Sequence, residues 1–282
     1  MRFTRLTTLH ICGNSHLSRA PEALVMRSLL RTPSLVSVSL RYSLDGLEHF
    51  RGMWEGCATG IKHLKLDIHD VMGLPSRSWP MRDLQAGSAD RRIKLESLAV
   101  SRSFSSAWLR GPGCPFDIRN LKALQIGFQA DPLTDALSGS FETIEMLSLE
   151  MATIGEVPVS LFRGVCQLKL AHACRSSWDK FHGGLQGRIP QQVRDRISSL
   201  SFSLSVRRFD DLETLNAQFP IIHGYFPNLK VLHLNIQWSW LPAQHDPKPD
   251  LSLTTNAGLK VTVKFGPGRV FDDFGELWYK RI

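Results

Sequence analysis

The sequence predicts an α/β protein, a right-handed β-α solenoid with irregular repeats and a parallel sheet on its concave face. Three observations carry this expectation. A six-residue apolar pattern recurs along the chain, the stretches between copies carry helical spacing, and the composition is that of a packed globular protein. The chain has 282 residues, 43% hydrophobic and 21% charged, a balance that supports a core and argues against disorder. No run approaches the roughly 18 uncharged apolar residues that a membrane helix needs, so an integral helical membrane protein is excluded.

The recurring hexamer is apolar, two variable residues, apolar, one variable residue, apolar. It begins at Leu6 (LTTLHI) and returns at Leu35 (LVSVSL), Ile61 (IKHLKL), Leu95 (LESLAV) and Leu121 (LKALQI). Further copies start at Ile144 (IEMLSL), Val165 (VCQLKL), Ile197 (ISSLSF) and Leu229 (LKVLHL), and a degenerate tenth, with Gly258 at its first position, reads GLKVTV. The fourth and sixth positions alternate with a variable one, which is the mark of a strand with one buried face. The first apolar residue turns into the same core just ahead of the strand. One such unit cannot close a core, so neighbours must stack, and a single solenoid domain over residues 1–282 is expected, with about ten repeats and the last one capping.

Between copies the spacing turns helical. Asp45 to Cys57 places Leu47, Phe50 and Trp54 on one stripe, with Asp45 suited to a helix start. Asp131-Pro132 reads as a cap followed by proline at the first helical position, with Leu133, Ala136 and Leu137 behind it. Arg207 to Phe219 carries Leu212, Leu215 and Phe219 at helical spacing, and Pro33, Pro220 and Pro227 are expected to punctuate the returns. Strand, helix and parallel strand imply right-handed crossovers. The stretches 71–92 and 238–256 exceed what the pattern needs and read as surface loops. His182-Gly183-Gly184 and Gly266-Pro267-Gly268-Arg269 read as turns.

The hexamers LTTLHI, LESLAV, LKALQI, IEMLSL and LKVLHL resemble the strand segment of leucine-rich-repeat proteins, over about residues 6–265. The long irregular units and returns such as FPNLKVLHL resemble, more narrowly, the repeat region of fungal F-box-associated leucine-rich-repeat-like proteins. The resemblance implies a horseshoe fold and a non-catalytic protein-protein interaction scaffold, in its specialised form the substrate-recognition part of an F-box-type ubiquitin ligase. The chain departs from the pattern in two ways. The family's Asn or Cys three places after the hexamer is matched only by Asn14, which puts regular curvature in doubt. No F-box-like segment precedes the first copy. With only Met1 to Arg5 ahead of it, the first strand is expected to be weakly protected.

The formal charge is +8, from 34 Lys and Arg against 26 Asp and Glu, which biases the chain toward acidic partners. The stretch 175–208 is densest, with seven basic and two acidic residues, and supports an alternative reading as a nucleic-acid or anion binder. Five widely spaced cysteines without a CxxC pair do not form a disulfide framework. There is no glycosylation sequon and no signal-like apolar run, so a cytoplasmic or nuclear protein is expected. No phosphate-loop, dinucleotide, zinc-protease or nucleophile-elbow motif occurs. The pairs His172/Cys174 and Asp67/His69/Asp70 lack the further ligands that a zinc site needs. No catalytic, cofactor or metal residue is assigned, and the chain is not read as an enzyme. The candidate binding residues are the longest polar side chains between the buried strand positions, His63, Lys65, Gln125, Glu150, Gln167 and Lys169, with Trp79, Trp238 and Trp240 as apolar anchors from the long loops.

Overall fold

In the computed structural model the hexamers become neighbouring rungs of parallel ladders. The structure describes residues 5–16, 20–44, 53–70, 92–100, 109, 114–127, 137–151, 154, 157–173, 178–187, 189–206, 210–238 and 259–267. The chain divides into two compact units, Met1–Thr143 and Ile144–Ile282.

The first unit runs β1 (Thr8–His16), α1 (Ala20–Leu30), β2 (Ser37–Leu44), β3 (His63–Asp70), β4 (Ile93–Lys94), β5 (Ser97–Val100), β6 (Phe116–Asp117) and β7 (Ala123–Ile126). The strands β1, β2, β3, β5 and β7 lie side by side in that order, all parallel. The fourth hexamer positions share one rung, Leu9, Val38, Leu64, Leu98 and Leu124, and the sixth positions share another, Ile11, Leu40, Leu66, Val100 and Ile126. Leu35, Ile61, Leu95 and Leu121, the first positions, are buried beneath them. The alternation thus puts one apolar face into a core, as period-two patterning requires. Helix α1 was not anticipated by the sequence reading. It buries Met26 and Leu30, one turn apart, and leaves Leu24 and Val25 exposed.

A second, two-stranded parallel sheet pairs β4 with β6. Its Phe116 packs edge-on against Trp54, with ring centroids 4.9 Å apart, so Trp54 is a core residue as its stripe suggests. Met53 and Trp54 are helical; the rest of the helix expected from Asp45 lies outside the described residues, as does the helix start at Asp131. Gly56 follows with φ +70° beside the Arg31 guanidinium, a conformation that a side chain would strain.

The second unit runs β8 (Met146–Glu150), β9 (Gln167–Ala173), α2 (Trp178–Gly187), α3 (Gln191–Arg194), β10 (Ser199–Val206), α4 (Asp210–Tyr225), β11 (Val231–Trp238) and β12 (Lys260–Pro267). Its five strands are also parallel and in chain order. The core rungs are Leu147, Leu168, Leu200, Leu232 and Val261, then Leu149, Leu170, Phe202, Leu234 and Val263. The degenerate tenth copy therefore keeps register, although Val261 and Val263 are only half-buried.

Three local expectations are corrected here. His182-Gly183-Gly184 lies inside α2 rather than in a turn. There Trp178, Phe181 and Leu185 are buried, and that apolar stripe outweighs the roughly 1 kcal/mol that each helical glycine costs. Pro220 does not end its helix: α4 continues to Tyr225, with Ile222 buried and Pro220 on the exposed side. Gly266 and Pro267 close β12 opposite Gln237 and Trp238 instead of forming a turn.

Candidate functional site

The residues between the core positions share the opposite face of each ladder. In the first unit one row is Thr8, Ser37, His63, Ser97 and Ala123, the next is His10, Ser39, Lys65, Ala99 and Gln125, and the last begins Cys12, Arg41 and Asp67. These groups are largely spent on one another. His63 Nδ1 lies 2.9 Å from Ser97 Oγ, and Arg41 Nε lies 3.3 Å from an Asp67 carboxylate oxygen. Burial pushes the His63 imidazole below its ordinary range; Glu96 pulls it back up and Lys62 pushes it down. Lys65 is half-buried and engaged. Gln125 is 5% exposed, and its Oε1 has no hydrogen-bond partner among the described residues.

The His63–Ser97 contact is the arrangement that a serine nucleophile and its base would need. Ser97 is only 1% exposed, so its hydroxyl is closed to solvent in this structure. The contact holds the sheet face together.

In the second unit the rows are Met146, Gln167, Ser199, Val231 and Lys260, then Ser148, Lys169, Ser201, His233 and Thr262. A register shift between Phe202 and Leu204 sets Ala171 and His172 of β9 against Ser203 of β10, a bulge that loosens the ladder there. Ser148 and Ser203 are 1% and 5% exposed, and neither hydroxyl has a hydrogen-bond partner among the described residues. Lys169 is half-buried and forms no ion pair among the described residues. Glu150, on the next row, is buried and engaged.

Of the candidate residues, His63, Lys65 and Gln125 thus share one face of the first unit, and Glu150, Gln167 and Lys169 one face of the second. Gln125 and Glu150 are more closed than strand alternation alone suggests. Trp238 ends β11 rather than starting a loop, opposite Pro267. Trp79 and Trp240, with most of both long loops, lie outside the described residues, and so do the side chains of His69, Asp70 and His172 and all of Cys174. Among the described residues no three His, Cys, Asp or Glu side chains cluster as metal ligands, and no helix is long and apolar enough to cross a membrane.

The sequence reading missed a charged row. The second hexamer positions place Lys62, Glu96 and Lys122 in succession, tied by backbone bonds from Glu96 N to Lys62 O and from Lys122 N to Glu96 O, each 2.8 Å. Lys62 Nζ lies 2.8 Å from Glu96 Oε1, and that hydrogen bond is the chief cause holding the Glu96 carboxyl below its usual range. The alternation of sign at one hexamer position was available as a signal.

In the basic segment, Arg194 sits 5.5 Å from the centre of the Tyr225 ring, and Arg196 Nη1 donates to Arg163 O. His182 stacks on Trp178 and bonds Gln218 Oε1 through Nε2 at 2.6 Å. Arg175, Arg207 and Arg208 and the side chains of Lys180 and Arg188 lie outside the described residues. No family model and no curated protein sequence matches the chain.

Proposed function

We propose that this chain is a non-catalytic scaffold of leucine-rich-repeat type that binds a protein partner with acidic character through its strand faces. The observation that carries the reading is the registered polar row Ser148–Lys169–Ser201, in which the buried Ser148 hydroxyl has no hydrogen-bond partner and Lys169 no ion pair among the described residues. Its one buried member, Ser148, is costly to leave unpaired, since a buried unpaired polar group costs about 1–3 kcal/mol. Ordered parallel strands with a polar outer row also suit an extended partner laid across several repeats. The +8 charge favours acidic partners on approach.

Substrate recognition within an F-box-type ubiquitin ligase is the specialised form of this reading, and it rests on the resemblance of the hexamers. Nucleic-acid binding through 175–208 draws less support, because Arg194 and Arg196 are engaged within the fold. Affinity capture from extract, with and without nuclease, tests the choice. A protein partner that persists after nuclease treatment supports the scaffold; recovery of nucleic acid alone, abolished by charge reversal at Arg194 and Arg196, would replace it with the alternative.

A further inference from the structure

We infer that the rung Ser148–Lys169–Ser201 of the second unit is a carboxylate subsite, seating an Asp or Glu side chain of an extended acidic peptide. The inference rests on the scaffold reading and names the chemistry of one contact in it.

The three residues occupy neighbouring strands β8, β9 and β10 at one register position, so their side chains leave the sheet on the same side about 4.8 Å apart. All three can donate: an ammonium flanked by two hydroxyls. Lys169 has no ion pair among the described residues, and Ser148, 1% exposed, has an Oγ without any partner. A buried hydroxyl with nothing to donate to is an unspent donor, and the ammonium beside it fixes the sign of what would satisfy it. In the unliganded chain Ser148 is sealed. Lys169, its register neighbour on β9, is half-exposed.

The class of anion follows from the neighbours. Glu150 lies two residues beyond Ser148 on β8, buried, beside Ala171 and diagonal to Lys169. A single lysine offers at most one positive charge, and Glu150 repels a dianion about twice as strongly as a monoanion. A phosphate near its second ionisation would bring almost two charges to a site with one lysine and repel Glu150. Lys65, the equivalent residue in the first unit, is already engaged and is flanked by one serine, Ser39, with Ala99 on its other side, so the same two-hydroxyl subsite is not built there.

The probe is a blocked hexaglutamate peptide, with its all-glutamine counterpart and inorganic phosphate as controls, titrated at low salt into the full chain while backbone amides are followed by NMR. Hexaglutamate is expected to move amides of β8, β9 and β10, and both controls to bind at least about tenfold more weakly, the scale of one charge-assisted hydrogen bond. Lys169→Met should weaken peptide binding about tenfold, while Lys65→Met should change it less than about twofold. Ser148→Ala should weaken binding several-fold yet leave the melting temperature unchanged or raised, because it deletes an unpaired buried group. Equal binding by Lys169→Met and wild type, or phosphate binding as tightly as hexaglutamate, overturns the subsite. If the peptide still moves strand-face amides in that case, the scaffold reading stands without it. If no strand-face amide in either unit responds to hexaglutamate, both fall.

Discussion

The two units have the same core and opposite surface economies. In the first, much of the outer row is engaged, the Gln125 Oε1 excepted: His63 meets Ser97, Arg41 meets Asp67, and Lys65 is engaged. In the second, Ser148 and Ser203 hold unpaired hydroxyls and Lys169 stands without an ion pair among the described residues. The core rungs set register in both, so register cannot account for the difference. Polar positions in a ladder can serve either cohesion or recognition, and a group committed to one is withdrawn from the other.

The sharpest control on this comparison lies in the core, where no difference is expected. Leu124→Ala and Leu147→Ala each remove a side chain with 0% exposure and should each cost about 2–5 kcal/mol in denaturant melts. A cost below about 0.5 kcal/mol at either site would mean that the rung assigned to it is wrong.

The outer rows should then separate. Ser97→Ala deletes the 2.9 Å contact with His63 and should destabilise by about 0.5–1.5 kcal/mol. Ser148→Ala, lacking a partner to lose, should be neutral or slightly stabilising. Equal losses at the two serines would erase the contrast.

A pH series sharpens it further. Burial lowers the His63 pKa from its ordinary 6.5, so below that value the unfolded chain takes up a proton that the folded chain resists. The contribution of His63 is therefore complete above about pH 6.5 and lost as the pH falls through it. Replacing His63 with Gln should flatten the pH dependence of stability between about 5 and 7; an unchanged slope would show that another group sets it. At lower pH Asp117 follows the same sign. Hydrogen bonds from Arg119 bring its pKa down to about 2, so its contribution is present above the ordinary carboxylate value and disappears toward pH 2.

The smallest effect concerns thiols. Burial pushes Cys57 up to about 12, while Cys12 is exposed. Iodoacetamide at pH 8 should label Cys12 well before Cys57 in the native chain, and matched rates would show that Cys57 opens readily.

The core was legible because burial imposes a period. Apolar residues at the fourth and sixth positions must face the same way in every copy, and the ladders pair those residues within each unit, down to Val261 and Val263. Helix α2 was not legible, since Gly183 and Gly184 look like a turn until Trp178, Phe181 and Leu185 are seen to share one buried stripe. Continuation of α4 past Pro220 was hidden for a related reason: the anchor that sustains it, Ile222, lies beyond the residue expected to stop it. The outer row was legible in identity and not in state. Sequence alone names His63, Lys65, Gln125 and Lys169, but which of them is paired depends on the lateral neighbour, and that neighbour lies 21 to 34 residues away along the chain.

The charged row at the second hexamer position bears on how such a chain assembles in the right order. Nothing in the apolar pattern forbids a strand from skipping its neighbour: Leu64 would match Leu124 as well as it matches Leu98. Skipping would set Lys62 against Lys122 and leave Glu96 unmatched, whereas sequential stacking alternates the signs. Exposed pairs of this kind are worth only about 0–1 kcal/mol, yet even about 1 kcal/mol biases two otherwise equivalent pairings roughly fivefold. At β3, β5 and β7 the row thus favours the sequential pairing over the skipped one that the core alone would permit.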